Sequence, residues 1–210
     1  MRNRNRCRGE SRERIAGNLI DDALAGSGLE ARYDIISIGP QQQIIENFVI
    51  GDPARPDLTI ERIVAEVDYG FGAPQTGRIT AFNPRFYGTL RDGTLSFGTL
   101  APAIYGEGEG GLPELDIAIV DARGLIESDF GKIGLKLAGE GMLNDGFAAK
   151  LAATAPGFGI ETCKTGIATL YGDLTTNAGL PEFSGPLRLR DLDCEGVTLA
   201  NADISADLTT

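Results

Sequence analysis

The sequence predicts an all-β protein with one short N-terminal helix and strands in antiparallel meander order. From Arg32 onward, short runs rich in β-branched residues are bounded by Gly, Pro, Asp or Asn, as strands and their turns usually are. Glycine is abundant, at 29 of 210 residues, and Trp is absent, which suits many short strands better than a helical bundle. In the second half, apolar and polar residues alternate, which gives each strand one apolar and one solvated face.

The first 28 residues divide into a basic tail and a helix. Residues 1–14 hold six Arg and two Glu and are expected to be a disordered tail, or one that lies on an anionic membrane surface. Apolar residues at helical spacing over about 11–25, with Ser11 as a cap, predict a short helix that we place at 15–28. The remaining chain is acidic and would repel phosphates, so we expect no nucleic-acid partner.

Two series of strands are predicted, separated by a flexible loop rich in Gly and Glu at residues 101–113. We interpret residues 29–100 as a first β-unit and 114–210 as a second. The turns Arg91-Asp92-Gly93 and Leu143-Asn144-Asp145-Gly146 are expected to join neighbouring strands tightly. The predicted strands lie near 31–38, 43–50, 58–69, 77–88, 94–97, 114–122, 124–129, 132–142, 146–154, 158–164, 167–176, 183–190 and 196–208.

The apolar face of such strands must be covered by a second sheet, by barrel closure, or by a ligand inside a curved sheet. Its positions are mostly Ala, Gly and Leu, and aromatic residues are only 7% of the chain, which favours a channel with room in it over a packed sandwich. Ordinary core packing is the alternative for the same residues. The candidates for the inward face are Ile133, Leu135, Leu137, Phe147, Leu151, Leu170, Leu174, Leu187 and Leu189.

Nothing in the sequence predicts an enzyme, a cofactor or a metal site. His is absent, so no Ser-His or Cys-His pair and no imidazole ligand can form. The acidic pairs, such as Asp191 and Asp193, are typical of solvated surfaces. Cys163 and Cys194 could form a disulfide in an oxidising compartment or remain two free thiols, and their spacing does not decide between these states.

No segment of the chain has the composition of a membrane anchor or an export signal. The apolar runs are far shorter than the roughly 20 residues of a spanning helix. The charged N-terminus is not followed by an apolar core, so we expect neither a membrane span nor a secretory signal in this chain.

Several strand-and-turn motifs resemble those of one family. The motifs are Arg14-Ile15-Ala16-Gly17-Asn18-Leu19-Ile20, Ala31-Arg32-Tyr33, Gly51-Asp52-Pro53-Ala54-Arg55-Pro56-Asp57-Leu58-Thr59, Gly77-Arg78-Ile79, Pro84-Arg85-Phe86-Tyr87-Gly88 and Asp92-Gly93-Thr94-Leu95-Ser96-Phe97. Together they resemble the N-terminal part of YdbH-like proteins of alphaproteobacteria, within the AsmA/TamB-like group of bridge-like lipid transfer proteins. The resemblance extends from about residue 14 to the end of the chain.

The resemblance implies curved antiparallel meander sheets that form an open taco-like groove with an apolar lining. It implies a periplasmic, inner-membrane-associated protein whose groove carries phospholipid acyl chains between the inner and outer membranes, with envelope proteins at the groove ends. The apolar anchor of the family is not present before Arg14, and the strand pattern is cut at Thr210, so we expect an N-terminal fragment. The alternative is a non-catalytic all-β module, a sandwich or a repeat, that binds protein through its strand edges.

Overall fold

The computed structural model describes residues 29–68, 75–100, 112, 114–160 and 162–209. Within them the chain forms thirteen strands and one 3₁₀ turn, η1, so the all-β expectation is confirmed. The elements are β1 (Ala31–Ile38), β2 (Gln42–Asp52), β3 (Arg55–Asp68), β4 (Gln75–Phe82), β5 (Arg85–Arg91), β6 (Thr94–Ser96), η1 (Gly98–Leu100), β7 (Asp116–Ser128), β8 (Gly131–Met142), β9 (Ala148–Pro156), β10 (Gly159–Ile160), β11 (Cys163–Asn177), β12 (Leu180–Cys194) and β13 (Val197–Thr209). The predicted tail at 1–14, the predicted helix at 15–28 and most of the predicted loop at 101–113 lie outside the described residues.

The described strands form a single curved, mixed sheet. Its path is β1-β2-β3-β4-β7-β8-β9-β11-β12-β13, with β5 between β3 and β7, β6 beside β5, and β10 beside β11. Strand pairs are antiparallel except that β7 runs parallel to β4 and β5. The expectation of purely antiparallel meander sheets is therefore wrong at this junction. The physical reason is that a chain returning from β6 to the far side of β5 needs a crossover, which a hairpin turn cannot provide.

Two predicted strand boundaries differ from the structure for a shared reason. The strand predicted at 77–88 is divided into β4 and β5, whereas the two strands predicted at 114–122 and 124–129 form the continuous strand β7. Asn83 and Asp121 have φ angles of 52° and 51°, in the left-handed region that Asn and Asp tolerate better than most residues. Such a residue ends one strand and forms a bulge in the other, where the register shifts by one position.

These two residues belong to a row of polar side chains that crosses neighbouring strands. Asn47 on β2 also has a left-handed φ, of 53°, and its Nδ2 donates a 2.8 Å hydrogen bond to Oδ2 of Asp34 on β1. Asn83 Nδ2 donates a 2.6 Å hydrogen bond to Oε2 of Glu61 on β3. We call Asp34, Asn47, Glu61, Asn83 and Asp121 the kink row. Bulged and left-handed positions bend strands locally, so the backbone is expected to bend at Asn47, Asn83 and Asp121.

The most compact packing is at the β1–β3 side of the sheet. Phe48 and Ile50 on β2 and Leu100 of η1 form a buried cluster. The half-buried residues around it are Leu29, Ala31, Tyr33, Leu58, Ile60, Ile63 and Phe97. No large side chain in the described ranges is fully buried, as expected for a single layer without a second sheet over it.

Candidate functional site

The strands from β8 to β13 share one apolar face, which the register defines. Leu135 on β8 pairs with Ala153 on β9, and Ala153 pairs with Leu170 on β11. Leu170 pairs with Leu187 on β12, and Leu187 pairs with Ile204 on β13. Directly opposed residues of antiparallel strands point to the same side of the sheet. One line of apolar side chains therefore crosses five adjacent strands, and we call this side the apolar face.

The other sequence candidates lie on or beside the apolar face. Their pairings are Ile133 with Ile126, Leu137 with Leu151, Leu174 with Ala149, and Leu189 with Ala168. Phe147 comes immediately before β9, and its backbone N–H donates a 3.0 Å hydrogen bond to Oγ1 of Thr176. Phe147 is only 3% exposed, so its ring packs against protein, whereas the leucines of this face remain half-buried.

An open cavity of about 260 Å³ lies on the apolar face. Of the sequence candidates, Ile133, Leu170, Leu187 and Leu189 line it together. The other lining residues are Ala153, Thr154, Ala155, Phe158 and Ala168. The remaining candidates on strands, Leu135, Leu137, Leu151 and Leu174, are outside this lining. No charged side chain lines the cavity, so the space is suited to a hydrocarbon group.

The sequence indicated small residues on the apolar face in general but did not identify the ones that create this space. Ala153, Ala155 and Ala168 leave room where larger side chains would fill it. After Leu151, β9 carries Ala on both faces, for example at Ala152 and Ala153, so the alternation of apolar and polar residues that marks β8 does not continue there. Phe158 lies between β9 and β10, and its ring centroid is 5.9 Å from that of Phe130. Phe158 lies in a short turn between two glycines, where no alternation of apolar and polar residues could indicate that its ring faces the cavity.

The opposite face of the same strands carries cross-strand ion pairs. Lys150 on β9 binds Asp173 on β11, and this contact raises the pKa of Lys150 through a side-chain hydrogen bond. Arg188 Nε on β12 lies 3.5 Å from Oδ1 of Asp203 on β13. These groups are solvent-exposed and contribute little to stability individually. Their position shows that charge is segregated to one side of the sheet and hydrocarbon to the other.

A larger cavity, of about 550 Å³, lies around the β2–β3 turn, β5 and β7. Its lining includes Arg55, Asp57, Tyr87 and Glu127. Arg55 Nη2 is 3.6 Å from Glu127 Oε2, and Asp57 accepts hydrogen bonds from the backbone N–H and hydroxyl of Thr99. These charged groups already have partners, and an apolar chain would desolvate them at a cost. The smaller cavity is therefore the better candidate site.

Cys163 and Cys194 are joined by a disulfide in the structure, with their Cα atoms 4.1 Å apart. They lie at the start of β11 and the end of β12, so the bond ties the two strands together at one end. The short strand β10, which pairs with the start of β11, directly follows Phe158, and Phe158 lines the cavity. The disulfide thus fixes the strand ends beside the apolar face.

Within the part of the chain that the structure describes, the site has no arrangement for metal chemistry. No group of three or more His, Cys, Asp or Glu side chains there is positioned to hold a metal ion. Across the same described ranges, no helix has the length and apolar character needed to cross a bilayer. The cavity can bind an apolar group by burying it against Ile, Leu, Ala and Phe side chains.

Comparison with known proteins and protein families identifies the family of the chain. No curated protein and no solved structure matches the chain. The family model YdbH-like, described as intermembrane phospholipid transport protein YdbH, matches residues 9–210. This match covers nearly the whole chain and agrees with the strand-and-turn motifs in the sequence. The chain belongs to the YdbH-like family of intermembrane phospholipid transport proteins.

Proposed function

We propose that the apolar face from β8 to β13 is the lining of a groove that shields phospholipid acyl chains between the inner and outer membranes. The observation that carries the proposal is the open cavity lined by Ile133, Leu170 and Leu187, which contains no charged side chain. Membership in a phospholipid transport family supports acyl chains as its occupant. The protein acts in this role by binding, without catalysis.

The energetics favour a continuous apolar lining. Each methylene of a lipid loses about 0.8 kcal/mol when it moves from hydrocarbon into water. A groove lined by Leu, Ile and Ala removes most of that cost. A dry cavity of about 150 Å³ lined by such residues can hold a benzene molecule. The cavity here is larger, at about 260 Å³, and open, so a segment of an acyl chain fits.

The setting proposed is the periplasm, with the N-terminal side of the chain near the inner membrane and envelope proteins at the groove ends. Family membership supports an envelope location. The Cys163–Cys194 disulfide agrees with it, because the periplasm is oxidising and the cytoplasm is not.

Site-specific photo-crosslinking tests the proposal. A photoreactive amino acid replaces Leu135 or Leu187 on the apolar face, and the matched control replaces Lys136 or Arg188 on the opposite face of the same strands. The 210-residue chain is incubated with vesicles of phosphatidylethanolamine and phosphatidylglycerol and irradiated. We expect lipid adducts at Leu135 and Leu187 at least tenfold above those at the controls.

Two results would contradict the proposal. The first is equal labelling of both faces, which would indicate non-specific membrane contact. The second is the absence of adducts in a chain that circular dichroism shows to be folded. Native mass spectrometry of the unmodified chain provides an independent count of bound phospholipid.

The alternative of a structural or adhesive module makes the opposite prediction for this face. It requires side chains of the protein itself to cover the leucines of β8 to β12 in a closed core. One observation supports this alternative: β13 is an outermost strand of the described sheet, and its Val197 and Leu208 are 55% and 61% exposed. An exposed edge strand with apolar side chains can pair with a strand of another protein. Pull-down of another protein through β13, together with no lipid adduct at Leu187, would favour this alternative.

A further inference from the structure

We infer that Phe86 and Phe97 form an aromatic stop that ends the acyl-chain path at β5 and β7, so that β1–β3 do not carry lipid. This inference rests on the proposed function and specifies which part of the sheet performs it. Phe86 lies on β5 and Phe97 directly follows β6, in a part of the chain for which the sequence predicts no groove residue.

The two rings lie across the backbone of glycines on the apolar side of the sheet. Phe86 on β5 pairs with Gly124 on β7, and a Cβ atom on Gly124 would lie 2.2 Å from the Phe86 ring. A Cβ atom on Gly88 would lie 3.1 Å from the ring of Phe97. A side chain at position 124 would overlap the Phe86 ring, and one at position 88 would push the Phe97 ring away by a few tenths of an ångström, so both glycines let the rings lie close to the strands.

The register places the rings in line with the cavity. Gly124 pairs with Leu135 on β8, so Phe86 lies on the same side of the sheet as the apolar face. The centroids of Phe86 and Phe97 are 6.0 Å apart in an edge-to-face arrangement, a favourable aromatic contact. The rings therefore occupy the space into which a lipid chain on β8 would extend next.

Beyond the rings, protein atoms already cover the same side of the sheet. Leu58 on β3 pairs with Phe86 and also with Ile50 on β2. Ile50 is 3% exposed, because Leu100 of η1 packs over β2 and β3. The contrast with β8–β13 is clear in the described residues. Large side chains and η1 fill the β1–β3 side, whereas alanines leave an open cavity on the other.

A lipid chain cannot displace this cluster without exposing or rearranging its side chains. Phe86 and Phe97 are half-buried, and displacing them would expose the apolar surface of both rings and separate their edge-to-face contact. Acyl chains therefore reach β8–β13 without passing over β1–β3.

Paired crosslinking positions on either side of the rings test the inference. A photoreactive amino acid is placed at Leu135 or at Leu58, and the chain is irradiated with phosphatidylethanolamine and phosphatidylglycerol vesicles. In the otherwise unchanged chain we expect adducts at Leu135 and at least tenfold fewer at Leu58. In Phe86→Ala/Phe97→Ala, adducts at Leu58 should rise to within threefold of those at Leu135. Tyr87→Ala, which alters an exposed ring beside the stop, is the control and should leave both yields unchanged.

The outcomes separate this inference from the proposed function. Equal adducts at Leu58 and Leu135 in the unchanged chain would overturn the aromatic stop while leaving lipid binding intact, and this comparison does not depend on any variant folding. A folded double variant with no adduct at Leu58 would also overturn it. No adduct at Leu135 would remove the proposed function, and the stop with it.

Discussion

Filling the cavity should weaken lipid binding without weakening the fold. Ala153 lines the cavity and lies between Leu135 and Leu170 in the register. Ala153→Leu adds about three methylene-sized groups to that space, and displacing the same amount of acyl chain at about 0.8 kcal/mol each costs lipid binding about 2.4 kcal/mol. We therefore expect an affinity about 50-fold lower.

The assay is titration of the chain with a fluorescent phospholipid, with urea unfolding measured in parallel without lipid. Ala152→Leu is the matched control, because its position faces the opposite side, in register with Lys136 and Tyr171. The control should bind lipid like the unchanged chain. In a closed core, the same added volume at position 153 would cost about 1–3 kcal/mol of stability. Such a loss, or unchanged lipid affinity, would refute the open groove.

Three further predictions concern the frame around the groove. Gly124→Ala should destabilise the fold by about 1–3 kcal/mol, and Phe86→Ala should relieve much of this cost in a double-mutant cycle of urea unfolding. Replacing both cysteines of the disulfide by Ser should cost about 3–4 kcal/mol, since the bond closes a loop with a sequence separation of 31, and added reductant should then have no effect on the unfolding midpoint. A hydrogen bond from Arg91, and a second from the backbone of Asp92, lower the pKa of Asp129, so Arg91→Gln should raise that pKa in an NMR titration.

The sign of the Asp129 effect follows from its lowered pKa. The pair with Arg91 contributes stability above the ordinary Asp pKa of about 3.9, and this contribution disappears as the pH falls through the lowered value. An Asp129 pKa that does not move in Arg91→Gln would contradict the assignment. Additive effects of the Gly124 and Phe86 substitutions would show that ring and glycine are not in contact.

The local turns and the strongly alternating strands could be predicted from the sequence. Asp92 has a φ of 50° in the β5–β6 turn, as the Asp-Gly sequence predicts. On β8 and β12, Leu alternates with Lys or Arg, so Leu135 and Leu187 could be assigned to one face from the sequence alone. Turn geometry and the alternation of buried and exposed residues depend on neighbouring residues in the chain. They can therefore be predicted without knowing which distant strands pair.

The parallel junction and the cavity lining could not be predicted in this way. The pairing of β7 with β4 and β5 depends on a crossover between distant segments, and no short sequence pattern specifies it. Asp121 interrupts the alternation of β7, so a continuous strand has the sequence pattern of two. Because alanine suits either face of a strand, the sequence pattern does not indicate that Ala153 and Ala168 line a cavity. The empty space depends on what neighbouring side chains leave unfilled.

The kink row lies outside the strands of the proposed groove. Its residues belong to β1, β2, β3, the β4–β5 junction and β7, whereas the apolar face extends over β8 to β13. Asp34, Asn47, Glu61 and Asp121 are exposed, so substitutions at these positions act on the bends of the first seven strands and leave the side chains of the lining unchanged. Curvature on one side of the sheet and lipid contact on the other can therefore be altered one at a time by mutation.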